Sequence, residues 1–81
     1  MMAEVAEQIF AFIRSDLAID TAEIASTDLL FSTGVVDSFA LISLMMFIET
    51  EYAFRISPGD VNLVNFDSVD RMVAFVERSR S

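Results

Sequence analysis

The stretch Gly34-Val35-Val36-Asp37-Ser38-Phe39 sets an aspartate and a serine directly before a long apolar run. Such a pair has a plain structural use. Asp37 or Ser38 can accept hydrogen bonds from the first free amides of a helix, and Gly34 can supply the positive φ of a tight turn. Placement adds a chemical use. Ser38 stands at the end of a long loop-like segment, and the positive end of a helix dipole favours bound phosphate. A phosphodiester on the Ser38 hydroxyl would therefore be electrostatically tolerated.

Little else in the chain could do chemistry. Cysteine, histidine and lysine are absent from the 81 residues, and the five basic residues are Arg14, Arg55, Arg71, Arg78 and Arg80. That removes the usual zinc ligands, the Ser-His-Asp relay, thiol and Schiff-base nucleophiles and the commonest general base. No disulfide can supplement the core. A carboxylate enzyme would have to use Asp37 with Asp28 or Glu49, and no further catalytic group is evident. The chain is also too short to build a deep cleft, so composition argues against an enzyme, and no metal site is expected.

Thirteen acids against five arginines give a formal charge of −8. Such a field repels nucleic-acid phosphates and anionic membrane surfaces and speeds encounter with basic partners. With 54% hydrophobic residues and eight phenylalanines, the chain should nevertheless fold. The longest charge-free run, Ser38 to Ile48, is 11 residues, well short of the roughly 20 that a membrane-spanning helix needs. Its first ten residues carry Glu4 and Glu7 but no basic residue, unlike a secretory signal. The expectation is one cytoplasmic domain over residues 1–81, near the lower size at which a core alone sustains a fold.

The elements follow from periodicity. From Ala3 to Leu17, Val5, Ile9, Phe12 and Ile13, with Phe10 and Leu17 beside them, make one broad apolar face at helical spacing. Between Ala18 and Asp37 that periodicity fails, which predicts a long loop pinned to the core by Leu29, Leu30 and Phe31. A second helix should run from Ser38 to about Ala53. Ser57, Pro58 and Gly59 mark a turn, and residues 60–65 can hold one short helix. Asp67 is expected to cap the last helix, where Val69, Met72, Val73 and Val76 repeat at i, i+3, i+4 and i+7. No strand-like alternation appears. The predicted fold is all-α: a small four-helix bundle of three long helices and one short, with a long loop between helices 1 and 2.

The second helix carries two apolar stripes. Leu41, Leu44, Ile48 and Tyr52 suit a core, while Phe39, Ile42 and Met46 lie on the other side. Phe47 and Met45 add apolar surface between them. Either this helix is buried nearly all round, or the stripe of Phe39, Ile42 and Met46 stays exposed as a docking surface. Methionine suits a surface that adapts to several partners.

At Gly34, Asp37, Ser38 and Phe39 the sequence resembles the acyl and peptidyl carrier proteins, which carry 4′-phosphopantetheine on the serine of a Gly-x-Asp-Ser-Leu type motif. Here two residues separate the glycine from the aspartate, and Phe39 stands in the leucine position. Asp28-Leu29-Leu30-Phe31 is similar to the family's segment before the glycine. Glu49 to Ile56 is similar to its acidic segment near the second helix, and Phe66-Asp67-Ser68-Val69 falls where its fourth helix begins.

The resemblance implies a carrier whose Ser38 receives the arm from coenzyme A through a phosphopantetheinyl transferase, with Asp37 as part of the motif. The arm's thiol would hold cargo as a thioester, delivered by an adenylating ligase or acyltransferase and passed to downstream biosynthetic enzymes. Phe39, Ile42 and Met46 match positions that contact partners in the family. Fatty-acid carriers line this helix with acids, yet Ala40 and Ser43 occupy two of those places and no charge lies between Asp37 and Glu49. The stretch from Phe31 to Ser38 is closest in look to free-standing aminoacyl or D-alanyl-type carriers. The leading expectation is such a carrier in a specialised pathway. A fatty-acid or polyketide extender-unit carrier is the first alternative and a cofactor-free helical adaptor the second.

Overall fold

A computed structural model describes residues 2–80, without the side chains of Met2, Ala3 and Ser38. Helix α1 spans Met2–Ser15, α2 Ser38–Tyr52, α3 Leu63–Phe66 and α4 Val69–Arg80, with a 3-10 turn at Pro58–Asp60. No strand occurs among the described residues. The architecture is the expected small all-helical bundle with a long connection, 16–37, between α1 and α2.

Apolar spacing explains which faces meet. Val5, Ile9 and Ile13 of α1 are fully buried, as are Leu44 and Ile48 of α2 and Val69, Met72 and Val76 of α4. Helix α1 packs against α4 and α2, and α3 lies against α4. Aromatic rings join these elements. Phe12 stacks on Phe47 with centroids 4.5 Å apart, while Phe75 meets Phe66 at 5.4 Å and Phe54 at 5.9 Å. At the far end of α2, the Tyr52 hydroxyl donates to Gln8 Oε1 on α1 over 2.6 Å, and the Arg80 guanidinium sits 5.5 Å above the Tyr52 ring.

Several expectations need correcting. Helix α1 stops at Ser15 rather than Leu17, because Ser15 Oγ donates to the Ala11 carbonyl and the chain turns left-handed at Ala18, φ 55°. The Ile19 amide then closes back on the Ile13 carbonyl at 3.2 Å. The region expected to hold one short helix, 60–65, divides between the end of the Pro58–Asp60 turn and the start of α3, whose cap is Asn62, accepting from the Asn65 amide. Asp67 does not cap α4. Ser68 Oγ accepts from the Arg71 amide at 3.1 Å and takes that role. Of the expected loop pins, Leu30 is fully buried and Phe31 half-buried, but Leu29 is 40% exposed. The second deep anchor is Val36.

Because α2 is buried along one side only, two substitutions on that helix should part widely. Ile48→Ala should cost about 2–5 kcal/mol, whereas Phe39→Ala should stay within about 0.5 kcal/mol of the parent. Urea unfolding of both variants followed by circular dichroism checks this.

Candidate functional site: the opening of α2 and its exposed face

The turn before α2 is built by Gly34, at φ 82°, whose amide donates to the Phe31 carbonyl over 3.2 Å. A Cβ added at Gly34 would meet nothing within 4 Å. Glycine is favoured here by backbone conformation and not by space. Val35 then points outward, 51% exposed, and Val36 inward.

Asp37 follows in extended conformation, with φ −67° and ψ 144°, and its side chain caps α2 by accepting from the Phe39 amide at 2.8 Å. The Ala40 amide donates to the Asp37 carbonyl at 2.9 Å. Between the two choices for the cap, Asp37 is the residue that serves. Ser38 is the first residue of α2, and its side chain lies outside the described residues.

The two stripes separate cleanly. Leu44 and Ile48 are buried, Leu41 and Tyr52 half-buried, and Phe39, Ile42 and Met46 are 81%, 55% and 58% exposed. Ser43 is exposed beside them, and the first turn carries no acid. The helix therefore shows solvent an uncharged apolar face that begins one residue past Ser38. Leu63 and Val64 of α3 are also exposed. Sequence reasoning did not single these out, since four residues are too few for a periodicity.

Asp67 holds the loop that leads into α2. Its Oδ1 accepts from the amides of Leu30, Phe31 and Ser32 at 3.1, 2.7 and 3.0 Å, and its carbonyl accepts from the Leu30 amide at 2.7 Å. The residue is only 2% exposed. Burial pushes its pKa up. The hydroxyl and amide of Ser32 and the amides of Phe31 and Leu30 together outweigh burial and hold the carboxyl below its ordinary value of 3.8.

The acids considered for catalysis are committed to the backbone in the same way. Asp28 Oδ2 accepts from the Ala25 amide and Glu49 Oε2 from the Ile56 amide, at 2.9 and 2.7 Å. Among the described residues no group of three or more His, Cys, Asp or Glu could hold a metal ion. No described helix is long and apolar enough to cross a membrane.

A small helical bundle whose second helix opens on Asp-Ser and keeps an apolar stripe in solvent has the form of a carrier domain. The family model for the phosphopantetheine attachment site matches residues 7–76, and the chain belongs to that family, the acyl and peptidyl carrier proteins. A comparison with curated proteins finds no match. Members attach 4′-phosphopantetheine covalently and act as carriers, not catalysts. They interact with phosphopantetheinyl transferases and biosynthetic enzymes. Membership sets aside both the cofactor-free adaptor and the carboxylate enzyme.

The Asp67 geometry sets a pH dependence. A carboxyl with a depressed folded pKa adds stability that is full above the unfolded value of 3.8 and is lost as pH falls through the lower folded value. The stability gap between the parent and Asp67→Asn should therefore be widest above pH 3.8 and narrow below it. Urea midpoints across that range measure the gap, and one that stays constant with pH contradicts this account.

Proposed function

We propose that Ser38 is the residue that carries 4′-phosphopantetheine, and that the chain is a free-standing cytoplasmic aminoacyl or peptidyl-type carrier of one domain, loaded by an adenylating ligase. Attachment would join Ser38 Oγ to phosphorus as the pyrophosphate linkage of coenzyme A breaks. Adenosine bisphosphate leaves and the hydroxyl proton passes to solvent. The group's own contribution, once bound, is a thiol that holds cargo as a thioester.

The surroundings suit such a substituent. Val35, Asp37 and Phe39 are all exposed, so a flexible arm has room to move. The positive end of the α2 dipole favours a phosphodiester, and the acid beside Ser38 is the cap residue Asp37, with none inside the first turn. Asp37 acts on the backbone here, capping α2 through the Phe39 amide. Cysteine is absent from the sequence, which leaves the arm as the sole thiol.

The observation that carries the reading is the exposure of Phe39, Ile42 and Met46 directly beyond Ser38, on a helix uncharged from Ser38 to Ile48. In this reading those three side chains contact partners, and recognition at α2 is mainly apolar. Aminoacyl and peptidyl carriers fit that character better than fatty-acid carriers, whose second helix is acidic.

Intact mass after incubation with coenzyme A and a broad-specificity phosphopantetheinyl transferase tests the attachment. The parent should gain one arm and Ser38→Ala none, with helical content retained in both. An arm on the Ser38→Ala variant refutes the assignment. Charging of the holo form by adenylating ligases, and not by acyltransferases of fatty-acid or polyketide synthesis, identifies the subclass. Met46→Glu should lower kcat/KM for loading about tenfold, the size of a moderate hot spot. Added salt should change loading by the parent little.

A further inference from the structure

We infer that Asp67 is a positioning residue for attachment of the arm, acting through the 30–36 loop on the opening of α2. The inference rests on Ser38 as the attachment residue. A continuous chain of contacts links the two positions. The Asp67 carboxylate gathers the amides of Leu30, Phe31 and Ser32 onto Oδ1, and the Leu30 carbonyl in turn accepts from the Val36 amide at 3.0 Å. Val36 is 1% exposed, so its side chain locks the next link into the core. Asp37 comes next and caps α2, and Ser38 is the helix's first residue.

Among the described residues, the other hydrogen bond that ties 30–36 to the rest of the fold is that of the Leu30 amide to the Asp67 carbonyl, at 2.7 Å. Between Leu30 and Val36 lie Phe31, half-buried, and then Ser32, Thr33, Gly34 and Val35, all exposed. Thr33 Oγ1 donates to the Leu29 carbonyl at 2.8 Å and Gly34 N–H to the Phe31 carbonyl, but both contacts are internal to the loop. Asp67 is what joins this segment to the α3–α4 corner. Without its charge the loop would sample other arrangements, and a transferase would have to select the competent one. Selection of this kind raises the apparent KM by the inverse of the competent fraction and leaves kcat untouched.

The test is steady-state phosphopantetheinylation of the apo protein at varied carrier concentration. Asp67→Asn keeps the side-chain shape and removes the charge. Its KM should rise severalfold at unchanged kcat, with about tenfold, the size of one weakened charge-assisted hydrogen bond, as the ceiling. Ser32→Pro serves as the second variant. It deletes both Ser32 donors to Asp67, the amide and the hydroxyl, at the second position of the turn closed by Gly34, a position where proline fits, and should raise KM about threefold by the same route. If Asp67→Asn does not fold, Ser32→Pro decides the matter alone.

Val76→Ala, which weakens the core of α4 and removes none of these hydrogen bonds, is the control and should leave KM unchanged. An unchanged KM in folded Asp67→Asn or in Ser32→Pro overturns the inference. So does an equal rise in Val76→Ala, because global stability would then account for the effect. A parent protein that takes no arm at all fails differently, since it removes Ser38 as the attachment residue before any variant is compared.

Discussion

Three backbone amides converging on one buried aspartate hold this molecule in its working shape. A connection running from residue 16 to residue 37 has no helix of its own, and its backbone groups need partners wherever they leave water. Asp67 supplies three acceptor contacts on one oxygen, and its carbonyl supplies a fourth to Leu30. The Asp70 amide adds another tie by donating to the Ser26 carbonyl at 2.9 Å. A buried carboxylate without such donors would be costly, and the 30–36 stretch without that carboxylate would keep only the Leu30 amide bond to the Asp67 carbonyl and the side chains of Leu30, Phe31 and Val36 to hold it among the described residues. Each side satisfies the other.

Helix α2 depends on that arrangement because its entry is set from the loop side. One flank completes the core through Leu44 and Ile48 and meets α1 through Phe47. The opposite flank leaves three large apolar side chains in water, which in a chain of 81 residues is a sizeable share of the hydrophobic surface available for folding. The remaining core is filled mainly by Ile, Val and Phe, and aromatic contacts join α1 to α2 and α3 to α4. Stability and presentation are thus divided between two faces of the same helix.

The carboxylates show the same economy. Asp28, Asp37, Glu49 and Asp67 each accept from backbone amides at a turn or helix end. Asn65 does similar work at the α3–α4 corner, donating to the Asp60 carbonyl and accepting from Arg78, both at 2.9 Å. The groups that could look catalytic in a list of residues are structural in three dimensions. That suits a carrier, whose reactive atom arrives with its cofactor.

Periodicity in the sequence was enough to determine the three long helices, the long loop and the presence of two stripes on α2, because regular apolar spacing reports directly on which side chains share a face. The motif around Asp37 and Ser38 was legible for a similar reason, since caps act within a few residues of where they stand. Whether the stripe of Phe39, Ile42 and Met46 is buried as well stays open in the sequence, because that depends on what packs against the helix. The role of Asp67 was missed outright. Standing next to Ser68 and before an apolar run, it reads as a local cap, and its actual partners lie 35 to 37 residues away in sequence. Only the folded chain brings them together, since hydrogen bonds at that separation leave no periodic trace.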